Sequence, residues 1–188
     1  MSGIKHFIKL NARNNKITTL LDFEPPANLE YADFTSNQIS KIDNCHRNPY
    51  LKQLFLDENQ IEKIEGIAYN KSLQVLSLRA NKISKIENLD NLNVEELSLA
   101  HNMLTKITGL DKLPYLRELD LAKNKIVRLK GLQTVSTLRF LNMSLNNVEK
   151  VLQLQFIELL PLLTELDFCY NPIQNKKHYR SQVLFHIP

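Results

Sequence analysis

The feature that most constrains this chain is a ladder of asparagines: Asn15, Asn37, Asn59, Asn81, Asn102, Asn124, Asn146 and Asn171. Successive rungs lie 22, 22, 22, 21, 22, 22 and 25 residues apart. With the rung as zero, positions −8, −5 and −3 are aliphatic or aromatic (occasionally Ala), and position +2 is aliphatic. The third rung reads Leu51, Leu54, Leu56, Asn59, Ile61, and the sixth reads Leu116, Leu119, Leu121, Asn124, Ile126. Self-similarity at this period predicts a solenoid, in which one short unit cannot bury its apolar face alone and stacked units build a continuous core. The repeats run from about residue 7 to residue 172, with a cap over 173–188, so residues 1–188 read as one domain.

Within each coil, positions −7 to −1 are expected to form a short parallel strand with −5 and −3 turned inward, because side chains alternate along a strand. The Asn then turns the chain, and its amide is expected to bond backbone groups of its own and the next coil. Apolar residues at +2, +5 and +8, such as Ile61, Ile64 and Ile67, line the convex side; a period of three suits 3₁₀-like turns. Position +7 holds Asp22, Asn44, Gly66, Asn88, Gly109 and Gly131, the residue types that best tolerate positive φ. The seventh coil departs with Gln153 and is longer; Val151, Leu154, Ile157 and Leu160 predict a true amphipathic helix there. Pro49, Pro114 and Pro161 recur at −10, where a convex segment stops, and Pro25-Pro26 takes that place one residue earlier.

Composition removes several functions. Four glycines, Gly3, Gly66, Gly109 and Gly131, leave no glycine-rich phosphate loop. No apolar run is long enough for a transmembrane helix, and the first residues lack the apolar core of a signal peptide. Cys45 and Cys169 fall in the second and eighth coils; at roughly 4.8 Å per strand they would be about 29 Å apart, beyond disulfide reach. A reducing compartment, cytosol or nucleus, is therefore expected. Asn70-Lys71-Ser72 and Asn142-Met143-Ser144 match the glycosylation pattern by chance. His6, His46, His101, His178 and His186 show no metal-ligand spacing with the cysteines, so neither metal nor cofactor is expected.

The L-x-x-L-x-L-x-x-N-x-I/L frame resembles the leucine-rich repeat. The implied fold is an α/β solenoid, right-handed, of eight coils, with a parallel concave sheet, short 3₁₀ or helical convex turns and a C-terminal cap helix. The regular 22-residue turn is similar to the intracellular subclass typified by a regulatory subunit of protein phosphatase 1. Three stretches resemble the repeat region of the leucine-rich repeat and guanylate kinase domain-containing family: Leu10-Asn11-Ala12 with Asn14-Asn15, Phe23-Glu24-Pro25-Pro26-Ala27-Asn28-Leu29, and Leu159-Leu160-Pro161-Leu162-Leu163 running on to Asn171-Pro172-Ile173-Gln174. That resemblance implies a cytoplasmic scaffold of the microtubule and ciliary apparatus. No nucleotide-kinase phosphate motif is present, so kinase activity is not carried over. The segment Asn171-Pro172 through Tyr179-Arg180 resembles the helix that closes intracellular leucine-rich repeats, and also a spliceosomal relative. In that family a further short strand follows, which leads us to expect a piece of a longer protein.

Counting back from each rung separates two surfaces. Positions −6, −4 and −2 are expected to face out from the concave sheet, and they hold seven acidic and three basic residues on a chain of net charge +4. The surplus cations follow the rungs on the convex side, as Lys63, Lys82, Lys85, Lys106, Lys125, Arg128 and Lys130. On the concave face Tyr31, Phe55 and Val75 form an apolar stripe on adjacent coils, and Phe140 stands alone. Such aromatics are candidate anchors, since aromatic residues dominate interface energetics; single exposed apolar residues are otherwise ordinary. With them we place Asp33, Asp57, Arg79, Glu96, Glu118, Asp120, Glu165 and Asp167 as partner-binding candidates. The acidic set points to a basic or helical protein segment; a merely solvated face is the plainer alternative.

The carboxylate pairs Glu118/Asp120 and Glu165/Asp167 sit on an open sheet with no pocket to raise a pKa, so no catalytic residue is assigned. Convex lysines without interleaved aromatics do not resemble a nucleic-acid groove. The expectation is a non-enzymatic binding scaffold, monomeric alone and cytoplasmic, with cilium, basal body or nucleus as settings. An adaptor resembling the phosphatase regulator or the spliceosomal protein is the alternative, and the targeting arm of a nucleotide kinase is the second.

Overall fold

The computed structural model describes residues 7–22 and 28–186. Eight strands form one parallel sheet in sequence order: β1 Lys9–Asn11, β2 Tyr31–Asp33, β3 Gln53–Phe55, β4 Val75–Ser77, β5 Glu96–Ser98, β6 Glu118–Asp120, β7 Phe140–Asn142 and β8 Glu165–Asp167. The register never slips: position −6 always meets −6, as in Lys9↔Tyr31, Gln53↔Val75 and Phe140↔Glu165. Each strand covers only positions −6 to −4, shorter than the −7 to −1 expected. At −1, Asn14, Ser36, Glu58, Ala80, His101, Lys123, Leu145 and Tyr170 all have positive φ, which takes that residue out of the extended region. Coil-to-coil bonding nevertheless continues beyond the strand: Leu56 N–H donates to Ser77 O at 2.8 Å and Glu58 N–H to Arg79 O at 2.8 Å.

The asparagine amides do what no aliphatic side chain could. Asn102 Nδ2 donates to Leu99 O and Ala100 O of its own coil at 3.1 and 3.2 Å, and to Leu78 O of the coil before it at 2.9 Å. Its Oδ1 accepts Ile83 N–H of that coil at 2.9 Å. The same bonds recur from Asn37 to Asn171. The clamp therefore reaches back to the preceding coil, not forward to the next. Asn15, on the first coil, bonds only Ala12 O and Arg13 O and is exposed.

On the convex side the +7 residues meet the +5 carbonyl of the preceding coil. Asn44 Nδ2 donates to Leu20 O at 2.9 Å, and Asn88 Nδ2 to Ile64 O at 2.7 Å. Gly66, Gly109 and Gly131 lie so close that a Cβ would come within 2.0, 2.5 and 2.1 Å of Ile42, Ile86 and Ile107 O. In the first coil the left-handed residue is Leu21 rather than Asp22. Regular 3₁₀ turns occur only at Cys45–Arg47, Leu132–Thr134, Val151–Phe156 and Pro172–Asn175 among the described residues. The expected amphipathic helix of the seventh coil is thus a 3₁₀ segment, Val151–Phe156. Its apolar residues recur every third place, which eclipses on a 3₁₀ helix but spirals off the face of an α-helix. Pro25-Pro26 and the stretch around it lie outside the described residues.

One continuous apolar core runs through the stack, from Leu20 to Ile173. Asn48 and Asn70 are fully buried at the position where other coils place Leu92, Leu113, Val135 and Leu160. Asn70 Nδ2 joins the coils by donating to Cys45 O and Asn48 O at 2.9 Å each. Asn70 is thus inaccessible and Asn142 lies in β7, so neither glycosylation pattern marks a surface loop. At the far end α1, Tyr179–His186, packs Tyr179 and Val183 against the core. Leu184 and Phe185, further along the cap, point away from the core, 72% and 80% exposed. Ile187 lies outside the described residues. His178 precedes α1 rather than joining it, at φ 61°.

Candidate concave interface

The strands present −6 and −4 side chains on one face, and position −2 follows on the turn. At the N-terminal end, Lys9 Nζ lies 5.9 Å from the Tyr31 ring centre, and the Tyr31 and Phe55 rings sit 5.4 Å apart at 43°. Tyr31, Phe55 and Val75 are half-buried. They do not form a straight row, because Tyr31 pairs with Gln53 and Phe55 with Asp33 and Ser77. The stripe zigzags between positions −6 and −4.

Asp33 is 2% exposed and does not face a partner. Its Oδ1 accepts Thr35 N–H at 3.0 Å and its Oδ2 accepts the Tyr31 hydroxyl at 3.3 Å, with Arg13 3.5 Å away. Asp120 and Asp167 repeat this local bond, accepting Ala122 N–H and Cys169 N–H at 3.0 and 2.9 Å. In the fourth coil Ser77 replaces the acid, and Asp57 of the coil before accepts both Ser77 Oγ–H and Arg79 N–H. Several candidate acids therefore shape the face as well as charge it.

The middle of the face holds a shallow hollow of about 160 Å³. Phe55, Val75 and Phe140 reach it from β3, β4 and β7, over a floor of Ser77 and Ser98. Phe140, read as isolated from its place in the sequence, is brought to the same hollow as Phe55 and Val75. Ser77 and Ser98 leave the hollow open between them, while Glu118 and Asp120 of β6 stand between Phe140 and the other two. Glu96, Glu118 and Asp120 line the same hollow.

Asp57, Glu96 and Asp120 titrate high for physical reasons. Burial pushes the Glu96 carboxyl up, and the negative charges of Glu118 and Glu95 add to it. Burial likewise raises Asp57 and Asp120, against bonds from Ser77 and Arg79 and from Ala122 that hold them down. The Arg79 charge favours the ionised form of both. The surface is a slightly desolvated set of carboxylates that a cation would stabilise. Glu165 is exposed and Asp167 half-buried on β8. Cys169 is exposed there, and Asp167 holds its thiol above the ordinary range, which keeps it a poor nucleophile. Burial pushes the Cys45 thiol up to about 12.

Among the described residues no group of three or more His, Cys, Asp or Glu is placed to hold a metal ion, and no helix is long and apolar enough to cross a membrane. The leucine-rich repeat family matches residues 68–188. No curated protein matches the chain. Among solved structures, internalin C2 of Listeria monocytogenes is 24% identical, with a TM-score of 0.78 over 87% of this chain and 72% of that one. Internalin InlF of the same organism is 22% identical, with a TM-score of 0.68 over 95% of this chain and 59% of that one. The functional domain of InlJ from Listeria monocytogenes, which includes a cysteine ladder, is 20% identical, with a TM-score of 0.68 over 95% and 42%. The chain thus spans less than two thirds of the latter two. At these identities the likeness is one of fold.

Proposed function

The chain belongs to the leucine-rich repeat family, and on that premise we propose that it is a non-catalytic protein-interaction scaffold whose concave face takes a basic, partly apolar segment of a partner. The observation that carries this is the central hollow, where Phe55, Val75 and Phe140 converge beside Glu96, Glu118 and Asp120. The aromatic groups supply anchors that bury apolar area, and the acids select positive charge and disfavour negative. A clamped stack of coils loses little conformational freedom on binding, so more of the contact energy appears as affinity. Tyr31, Arg79, Glu165 and Asp167 extend the surface towards its two ends; Asp33 and Asp57 act beneath it.

Selection of displayed peptides on the immobilised chain tests this reading. Enriched peptides should combine Lys or Arg with aliphatic or aromatic residues, and should lose at least about ten-fold in affinity on a chain carrying Phe55→Ala with Phe140→Ala. Peptides that bind that variant as well as the parent would sink the proposal. For the setting we propose the cytoplasm, on a microtubule or ciliary structure. Its support is the resemblance carried by Leu10-Asn11-Ala12 and Leu159-Leu160-Pro161; the double-proline stretch is outside the described residues. A tagged chain distributed without regard to microtubules in ciliated cells would count against that setting.

A further inference from the structure

The convex cations have an order that the coils make visible. Position +4 is basic in every coil from the second to the seventh: Lys41, Lys63, Lys85, Lys106, Arg128 and Lys150. Two residues on, position +6 is acidic in the second to fourth coils, as Asp43, Glu65 and Glu87, and then becomes Thr108, Lys130 and Leu152. At Lys85 the pairing is physical, with Nζ 2.7 Å from Glu87 Oε2. After Glu87 the acids stop and the cations continue. Among the described residues none of Lys106, Arg128 and Lys130 takes part in an ion pair.

At that break a trough of about 600 Å³ opens between the fifth and sixth coils. Its walls include Lys106, Thr108, Arg128, Lys130, Gln133 and Thr134. Gln133 Oε1 accepts Gly131 N–H and the Thr134 hydroxyl donates to Gly131 O, each at 2.7 Å, so local bonds hold those two side chains. The cations are left to meet a ligand, with Asp111 as the single carboxylate facing them. The trough of about 510 Å³ nearer the N-terminus has three lysines, Lys63, Lys82 and Lys85, but also Glu62 and Glu87, one of them already paired. Size does not distinguish the two troughs; uncompensated charge does.

We propose that the trough between the fifth and sixth coils is a second binding site, on the convex side, for an acidic polypeptide segment. Carboxylates of such a segment would meet Lys106, Arg128 and Lys130, and attraction of this kind acts without a deep enclosed pocket. A nucleic acid would find phosphate partners here but no aromatic side chain in the lining on which to stack its bases. The site is independent of the concave hollow and of opposite sign.

The test is binding of a fluorescently labelled oligoglutamate of about ten residues to the full chain at low ionic strength, where screening is weak. Lys106→Glu with Arg128→Glu and Lys130→Glu should weaken binding at least about ten-fold, and Lys41→Glu with Lys63→Glu and Lys82→Glu, the same change in net charge, by no more than about two-fold. Both sets lie on exposed positions, and thermal unfolding of each variant confirms an intact fold. Phe55→Ala should leave oligoglutamate binding unchanged, which separates this site from the concave one. Equal weakening by the two triple variants would reduce the effect to diffuse charge and overturn the proposal. So would tighter binding of an oligouridylate of equal length, or no binding of oligoglutamate by the parent chain.

Discussion

Asn102 makes four hydrogen bonds through its side chain, to two coils at once. Asn102→Leu would keep the branching at Cγ but leave Leu78 O and Ile83 N–H without those partners in a buried site. Unfolding in urea should show a loss of about 2–4 kcal/mol. Asn15→Leu should change stability by no more than about 0.5 kcal/mol, because its bonds are exposed and confined to one coil. Gly131 is a second such residue, at φ 116° with the Ile107 carbonyl where a Cβ would stand. Gly131→Ala should cost about 2 kcal/mol or more, read from the same denaturation midpoint. The asparagines announce themselves in the sequence because only an amide donates and accepts in this geometry. The equally regular positive φ at −1 does not, since Glu58, Ala80, Lys123, Leu145 and Tyr170 share no chemistry. There the clamp that follows imposes the conformation, and the side chain is free to vary.

The strands carry a pH dependence. In the folded chain Glu96 is raised, chiefly by burial and next by Glu118, so the fold prefers its protonated form. That contribution is full below the ordinary carboxylate range and is lost as pH rises through it towards the raised value. Glu96→Gln should therefore match the parent in mild acid and become more stable than the parent as pH rises, in paired denaturation curves across pH 3.5 to 7 or so. A bound cationic segment reverses the preference, since it favours the ionised acids. Affinity for a basic peptide should rise over the same interval, and titration in two buffers of different ionisation heat should show proton release on binding. A basic peptide whose affinity is indifferent to pH would mean that the raised acids lie away from the contact. The alternation that puts Glu96 and Glu118 on one face is readable from the rungs. That Asp33 turns inward while Glu96 stays exposed is not, because it depends on the Thr35 amide and Tyr31 hydroxyl folding back onto its carboxylate.

Across the whole molecule each coil touches its neighbours only, so stability should be graded along the stack. Amide exchange should be slowest in β3 to β6, with two clamped neighbours each, and fastest around Lys9–Asn11, where Phe7 and Ile8 are exposed and Asn15 clamps nothing beneath it. Uniform protection from β1 to β8 would contradict a nearest-neighbour stack. The period of the rungs by itself determined the fold, the strand order and the sign of each surface, because a repeated local pattern can be satisfied only by stacking identical units in sequence. Tertiary structure alone decided which of those surface residues share a hollow or a trough. Phe140 lines the same hollow as Phe55 and Val75, which the small side chains of Ser77 and Ser98 leave open. The trough flanked by Lys106 and Arg128 exists because two coils place their turns side by side, and distances between coils are not written in the order of residues within one.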